Sequence, residues 1–129
     1  FGVEDPTALT ANRRAFTIMV RNYMFRLVQL FALEKEDRLA ELLDYLDEVP
    51  DFGAILDDYF DEYDDIDSGP EARGPEYFRL GDTDSRLWSV RQIIKDPVGD
   101  HAYQFVATVD LDASDEAGEV RLSDLRVEY

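Results

Sequence analysis

The stretch DSGPEARGP, residues 67–75, divides the chain into two halves that follow different rules. Each proline lacks a backbone donor and the glycines beside them favour turns, so no regular element crosses this segment. On its N-terminal side apolar residues recur every three or four positions, and on its C-terminal side they recur every two. Helices followed by an antiparallel sheet make an α+β domain, with the helices packed on one face of a curved sheet. We read one domain over residues 1–129: helices over about 12–66, a linker over 67–75 and a sheet over 76–129.

Upstream, Phe16, Met19, Val20, Tyr23, Leu27, Leu30 and Phe31 share one helical stripe, which predicts a helix running to about Leu33. Arg13, Arg14, Arg21 and Arg26 lie elsewhere on its surface. A second helical pattern, Leu39, Leu42, Leu43 and Leu46, opens after Asp37 as its N-cap and ends before Pro50. Asp51 is placed to cap a third. There Phe52, Ile55, Leu56, Tyr59, Phe60 and Tyr63 form an apolar face, and Asp57, Asp58, Asp61, Glu62, Asp64 and Asp65 cover the rest.

Downstream, Tyr77 to Leu80 predicts a short strand, and Leu87 to Lys95 a longer one with Trp88, Val90 and Ile94 on one side. The run Asp96-Pro-Val-Gly-Asp100 makes the turn. Tyr103, Phe105, Ala107, Val109 and Leu111 alternate as a third strand, and Asp112 to Gly118 reads as a loop. In the last strand Val120 and Leu122 sit on one parity, Leu125, Val127 and Tyr129 on the other. A bulge near Ser123 and Asp124 reconciles them.

With 13 basic against 30 acidic residues the chain carries −17, and residues 36–67 alone hold 14 acidic groups against one basic. An apolar content of 45% nevertheless provides a core that a disordered acidic tail lacks. The absence of cysteine excludes a disulfide framework, a Cys-based zinc site, an iron–sulfur cluster and a thiol nucleophile. No apolar run approaches the roughly 18 residues of a membrane span, and the start lacks the order of a secretion signal, so the expectation is a cytoplasmic protein with no membrane partner. Phe1 in place of Met suggests a piece of something longer.

Phosphate-loop, dinucleotide, nucleophile-elbow and H-E-x-x-H signatures are all missing. An EF-hand loop needs Gly at its sixth place and Glu at its twelfth. From Asp61 these are Ile66 and Ala72, and from Asp110 they are Asp115 and Arg121, so the carboxylates read as a solvated face with no metal site. His101, the one histidine, stands beside Asp100 at the mouth of the third strand. The pair has two readings: a general acid/base in a small-molecule pocket of the sheet, or a turn fastened by hydrogen bonds to its backbone, which turn-forming Asp does routinely. Trp88, Tyr103 and Phe105, like Tyr23, Tyr59, Tyr63 and Tyr77, are expected to fill the core. Direct nucleic-acid binding rests on the arginines of the first helix and is opposed by the overall charge.

The segments RNYMFRLVQLFALE (21–34), YFDEYDDIDSGPEARGP (59–75), WSVRQIIKDPVGDHAYQF (88–105) and VDLDASDEAG (109–118) resemble a domain of unknown function found at the C-terminal end of actinobacterial DEAD/DEAH-box helicases of superfamily II. The chain departs from that family's Asp-Trp after the turn His, having Ala102 and Tyr103. The resemblance implies a parent with two RecA-like motor domains that use ATP and Mg to move or open RNA or DNA. It implies for this chain a non-catalytic accessory role with no cofactor of its own, partnered by the motor domains or another protein and meeting nucleic acid only weakly or through the parent. No catalytic residue carries over. The acidic residues Asp57 to Asp65 and the arginines Arg13, Arg14 and Arg21 are the expected binding surface. By the order of its elements alone, the fold is also analogous to cone-shaped nuclear-transport-factor-2-like proteins.

Overall fold

A computed structural model describes residues 8–82 and 85–129. Asn12 caps the first helix, α1 (Arg13–Ala32), by accepting from the Ala15 amide at 3.0 Å. Its stripe Phe16, Val20, Met24, Leu27, Val28 and Phe31 is buried. Helix α2 (Glu36–Leu42) starts two residues earlier than its sequence suggests. Lys35 occupies the N-cap and no side chain caps it, so Asp37 lies inside the first turn, where its charge still favours the helix dipole. The helix also stops at Leu42, well before Pro50, although Leu43 remains fully buried beyond it. Helix α3 (Phe52–Glu62) is capped by Asp51 as expected, its carboxylate accepting from the Ala54 amide at 3.1 Å.

Residues 67–75 hold no long element: a 3-10 turn spans Pro70–Arg73 and another Pro75–Tyr77. Asp67 fastens this linker to the far end of the sheet, where its amide meets the Lys95 carbonyl and its carboxylate meets Lys95 Nζ at 2.7 Å. Four strands follow, β1 (Phe78–Asp82), β2 (Leu87–Ile93), β3 (Gln104–Asp110) and β4 (Leu122–Glu128), as an open antiparallel meander in the order β1-β2-β3-β4. Tyr77 belongs to the preceding turn, so the first strand begins one residue later than the alternation suggests. Between β3 and β4 the expected loop is a helix, α4 (Leu111–Ala117). Asp110 caps it by accepting from Ala113 N, and Gly118 closes it at φ +74, the left-handed conformation that glycine adopts freely. Seven residues are too few for a period to show, yet a capping Asp and a closing Gly are present in the sequence.

The bulge in β4 is where the parity change places it. Thr108 faces Asp124 and Val109 faces Leu122, which leaves Ser123 as the extra residue. Leu122 and Leu125 both reach the interior as a result. One side of the sheet presents Trp88, Val90, Phe105, Ala107 and Val109, and α1 and α3 pack against it. Phe31 joins the layers, its ring 5.4 Å from Phe105, 6.3 Å from Phe52 and 6.3 Å from Tyr59, in edge-to-face contacts. At the other end of α1, Phe16 meets Trp88 at 5.3 Å. The opposite side is polar. There Arg79, Arg91, Val106 and Arg126 lie on one transverse row, and Glu128 bridges Arg91 and Arg126.

Among the described residues no buried side-chain nitrogen or oxygen lacks a partner. Buried Ser114, for example, donates to the Asp110 carbonyl and accepts from the Arg121 amide, tying α4 to the entry of β4. Among the described residues no helix is long and apolar enough to cross a membrane.

Candidate functional site

The apolar period of α3 dictates which of its carboxylates face water. Phe52, Ile55, Leu56 and Tyr59 turn inward, which leaves Asp57, Asp58, Asp61 and Glu62 exposed along the outer side. Phe60, expected in the apolar face, is 36% exposed and packs edge-on against Tyr59. Tyr63 ends the helix in extended backbone, and the Tyr59 hydroxyl donates to the Asp65 carbonyl at 2.6 Å, so exposed Asp64 and Asp65 continue the same surface. Among the described residues none of the six forms an ion pair; Asp58 accepts from the Tyr129 hydroxyl at 2.7 Å. Tyr103 reports their combined field. Burial, reinforced by the charges of Glu62, Asp58 and Asp61, pushes its phenol up to about 12.

The α1 arginines are spread along the helix and meet different partners. Arg13 pairs with Asp82 and lies over the Trp88 ring at 5.2 Å. Arg14 and Arg26 are exposed. Arg21 lies over Phe78 at 5.4 Å and donates to the Arg73 carbonyl. Among the described residues no ion pair joins any of them to α3, so the acidic and basic parts of the expected surface are not brought together.

The turn at 96–101 is organised by Asp96. Its Oδ1 accepts from the amides of Val98, Gly99 and Asp100 at 3.0, 2.6 and 3.0 Å, and its Oδ2 from the His101 amide at 2.8 Å. Burial alone raises such a carboxyl, but four backbone donors outweigh it and hold Asp96 below the usual carboxylate range. Asp100 and His101 therefore contribute their amides to the fastening, and their side chains do other things. The Asp100 carboxylate accepts from the Tyr63 hydroxyl at 2.7 Å, a bond that raises the Tyr63 pKa, with burial adding to it. The His101 ring, on a backbone with φ +55, packs edge-on against Tyr77 at 5.0 Å. The neighbouring cleft is lined by Asp65, Ile66, Asp67, Ser68, Lys95 and Pro97, and not by Asp100 or His101.

A second knot lay outside the sequence reading. Asp115 of α4 accepts from both the amide and hydroxyl of Thr10 at 2.8 Å each and from Arg86 at 2.7 Å, while Arg86 also reaches Asp112 at 2.9 Å. It ties the segment before α1 to α4. Its signal, an Asp within a short capped helix, carries no indication of a partner more than a hundred residues away. Among the described residues no group of three or more His, Cys, Asp or Glu is placed to hold a metal ion.

The model of a domain of unknown function, DUF3516, matches residues 2–127. No curated protein and no solved structure matches the chain.

Proposed function

We propose that this chain, which belongs to the DUF3516 family of domains of unknown function, is a non-catalytic accessory domain that works by protein contact, carried by an ATP-dependent superfamily II helicase. The observation that carries the reading is the outer side of α3 and its exit, where Asp57, Asp58, Asp61, Glu62, Asp64 and Asp65 stand exposed without a cation against them among the described residues. An uncompensated surface of this kind favours a basic partner through long-range attraction and suppresses contact with nucleic acid. The nucleic-acid-binding parts of the motor domains have the complementary charge, and the acidic face competes there with the substrate. ATP and magnesium act in the motor domains of that parent. Asp100 and His101 support the non-catalytic part of the reading, since the one is bonded to a tyrosine and the other is packed on one.

The test is made in the intact gene product. Asp57, Asp61, Asp64 and Asp65 are replaced together by Asn, which spares Asp58 and its bond to Tyr129, and nucleic-acid affinity and unwinding are measured across a salt series. The proposal predicts a change in both that shrinks as salt rises. Unchanged unwinding and affinity at low salt, together with unchanged unwinding after removal of the whole domain, refute it.

A further inference from the structure

The two exposed arginines Arg21 and Arg73 converge on a cleft of about 190 Å³ between α1, the Pro70–Arg73 turn and the β1–β2 edge. Each guanidinium is laid on an aromatic ring, Arg21 over Phe78 at 5.4 Å and Arg73 over Phe25 at 4.9 Å. Each is also anchored by one hydrogen bond: Arg21 Nη2 donates to the Arg73 carbonyl at 3.3 Å, and Arg73 Nη2 to Asn22 Oδ1 at 2.6 Å. Among the described residues the remaining donors of both forks are unspent and no carboxylate lies within ion-pair distance of either. In a chain of −17 two stacked, oriented and unneutralised guanidiniums are exceptional.

The remaining lining narrows the chemistry. Asn22 spends its oxygen on Arg73, so its amide donors stay available. Gln92, 2% exposed, does the reverse: its Nε2 donates to the Tyr77 carbonyl at 3.1 Å and the Ile93 carbonyl at 3.4 Å, which leaves its oxygen as the acceptor. Ile18, 51% exposed, completes the wall with the edges of the two phenyl rings. We propose that this cleft binds a carboxylate carried on a small apolar body, with an N–H beside the carboxylate donating to Gln92. Planar forks match a carboxylate two-to-two. A phosphate is the poorer fit, because its further oxygens meet an acceptor and apolar walls and its second charge meets the field of an acidic protein. The same chemistry has two sources, a free N-acylated acid or the C-terminal end of another polypeptide. The inference stands apart from the acidic face of α3, which shares no residue with the cleft.

The experiment titrates the isotopically labelled chain with N-acetyl-leucine and follows the Arg side-chain and amide resonances of residues 18–25 and 73. Saturable shifts confined to these residues and to Phe78 and Gln92 are expected. N-acetyl-leucinamide, which lacks the charge, is expected to bind at least about tenfold more weakly, as are Arg21→Gln and Arg73→Gln with the acid. A short peptide ending in leucine that binds about tenfold more tightly than N-acetyl-leucine identifies the source as a chain end, and equal affinity identifies a free acid. Equal binding of acid and amide, saturation by inorganic phosphate at the same concentrations, or no saturable shift at all overturns the proposal. The comparison of acid with amide needs no variant, so a misfolded Arg21→Gln or Arg73→Gln protein leaves it decisive.

Discussion

Replacing Asp96 by Asn removes the charge from the centre of the 96–101 turn while keeping its shape. The new amide keeps one oxygen, which serves the three amides now on Oδ1, but it points an N–H₂ at the His101 amide where Oδ2 accepts at 2.8 Å. One bond is lost outright, and the other three change from charge-assisted to neutral. Hydrogen bonds to a charged group contribute about 1.5–3 kcal/mol against about 1 for neutral ones, and the exposure of Val98, Gly99 and Asp100 lets water recover part of the difference. The expected loss is about 2–3 kcal/mol, a fall in Tm of roughly 6–15 °C for a chain of this size. Its pH dependence provides the sharper check. The folded Asp96 carboxyl lies below its ordinary range, so its contribution is complete above the unfolded pKa of about 4 and disappears as pH falls through the lower folded value. Urea unfolding followed by circular dichroism therefore shows the full gap between wild type and Asp96→Asn near neutrality and a shrinking gap below about pH 4. Carboxylates elsewhere cancel in that difference. A gap under about 0.5 kcal/mol near neutrality, or one that does not change with acid, refutes the account.

Two further outcomes follow from close packing and from the tyrosines. A Cβ added at Gly81 clashes with Ser89 Oγ across the β1–β2 pair, so Gly81→Ala costs about 1 kcal/mol in chemical denaturation and Gly81→Ala with Ser89→Ala recovers most of it; a double variant as unstable as the single shows that the clash is not the cause. Because burial raises the Tyr103 phenol to about 12, its contribution to stability is complete below the ordinary tyrosine range near 10 and is lost as pH rises through about 12. The tyrosinate absorbance that Tyr103→Phe removes thus develops near pH 12, and its development near pH 10 in the folded chain contradicts the burial seen here.

The sequence made the fold class legible because its two periods are long and are separated by residues that neither period tolerates. The stripe of α1 and the alternation of β3 each run for several repeats, and their interior residues lie where the pattern puts them. The short elements were harder. A seven-residue helix such as α4 passes through two turns, too few for a stripe, and only Asp110 and Gly118 mark it. The start of α2 was misplaced because Asp37 has the chemistry of a cap, while the actual boundary at Lys35 has no capping side chain at all. For the candidate surfaces, the exposure of Asp57, Asp58, Asp61 and Glu62 follows from helical geometry. The role of Asp96 does not follow, because a carboxylate surrounded by four amides is visible only once the backbone has curled around it. Nor does the convergence of Arg21 on Arg73, which needs α1 and the linker to meet in space.

The extra residue at Ser123 also governs how this chain tolerates change in length. A one-residue deletion there joins the two runs in phase, because Leu122 and Leu125 then stand two positions apart, the spacing of one face of a strand. Val109 still faces Leu122, Thr108 still faces Asp124 and Ala107 still faces Leu125, so both leucines keep their places in the core and only the local kink is lost, whereas a one-residue deletion at Arg126 sends Val127 to the opposite face. A substitution of Ser123 leaves the phase intact, since its side chain is exposed. The position is therefore free in composition and dispensable in number, and a library that varies the two separately would find survivors in both classes.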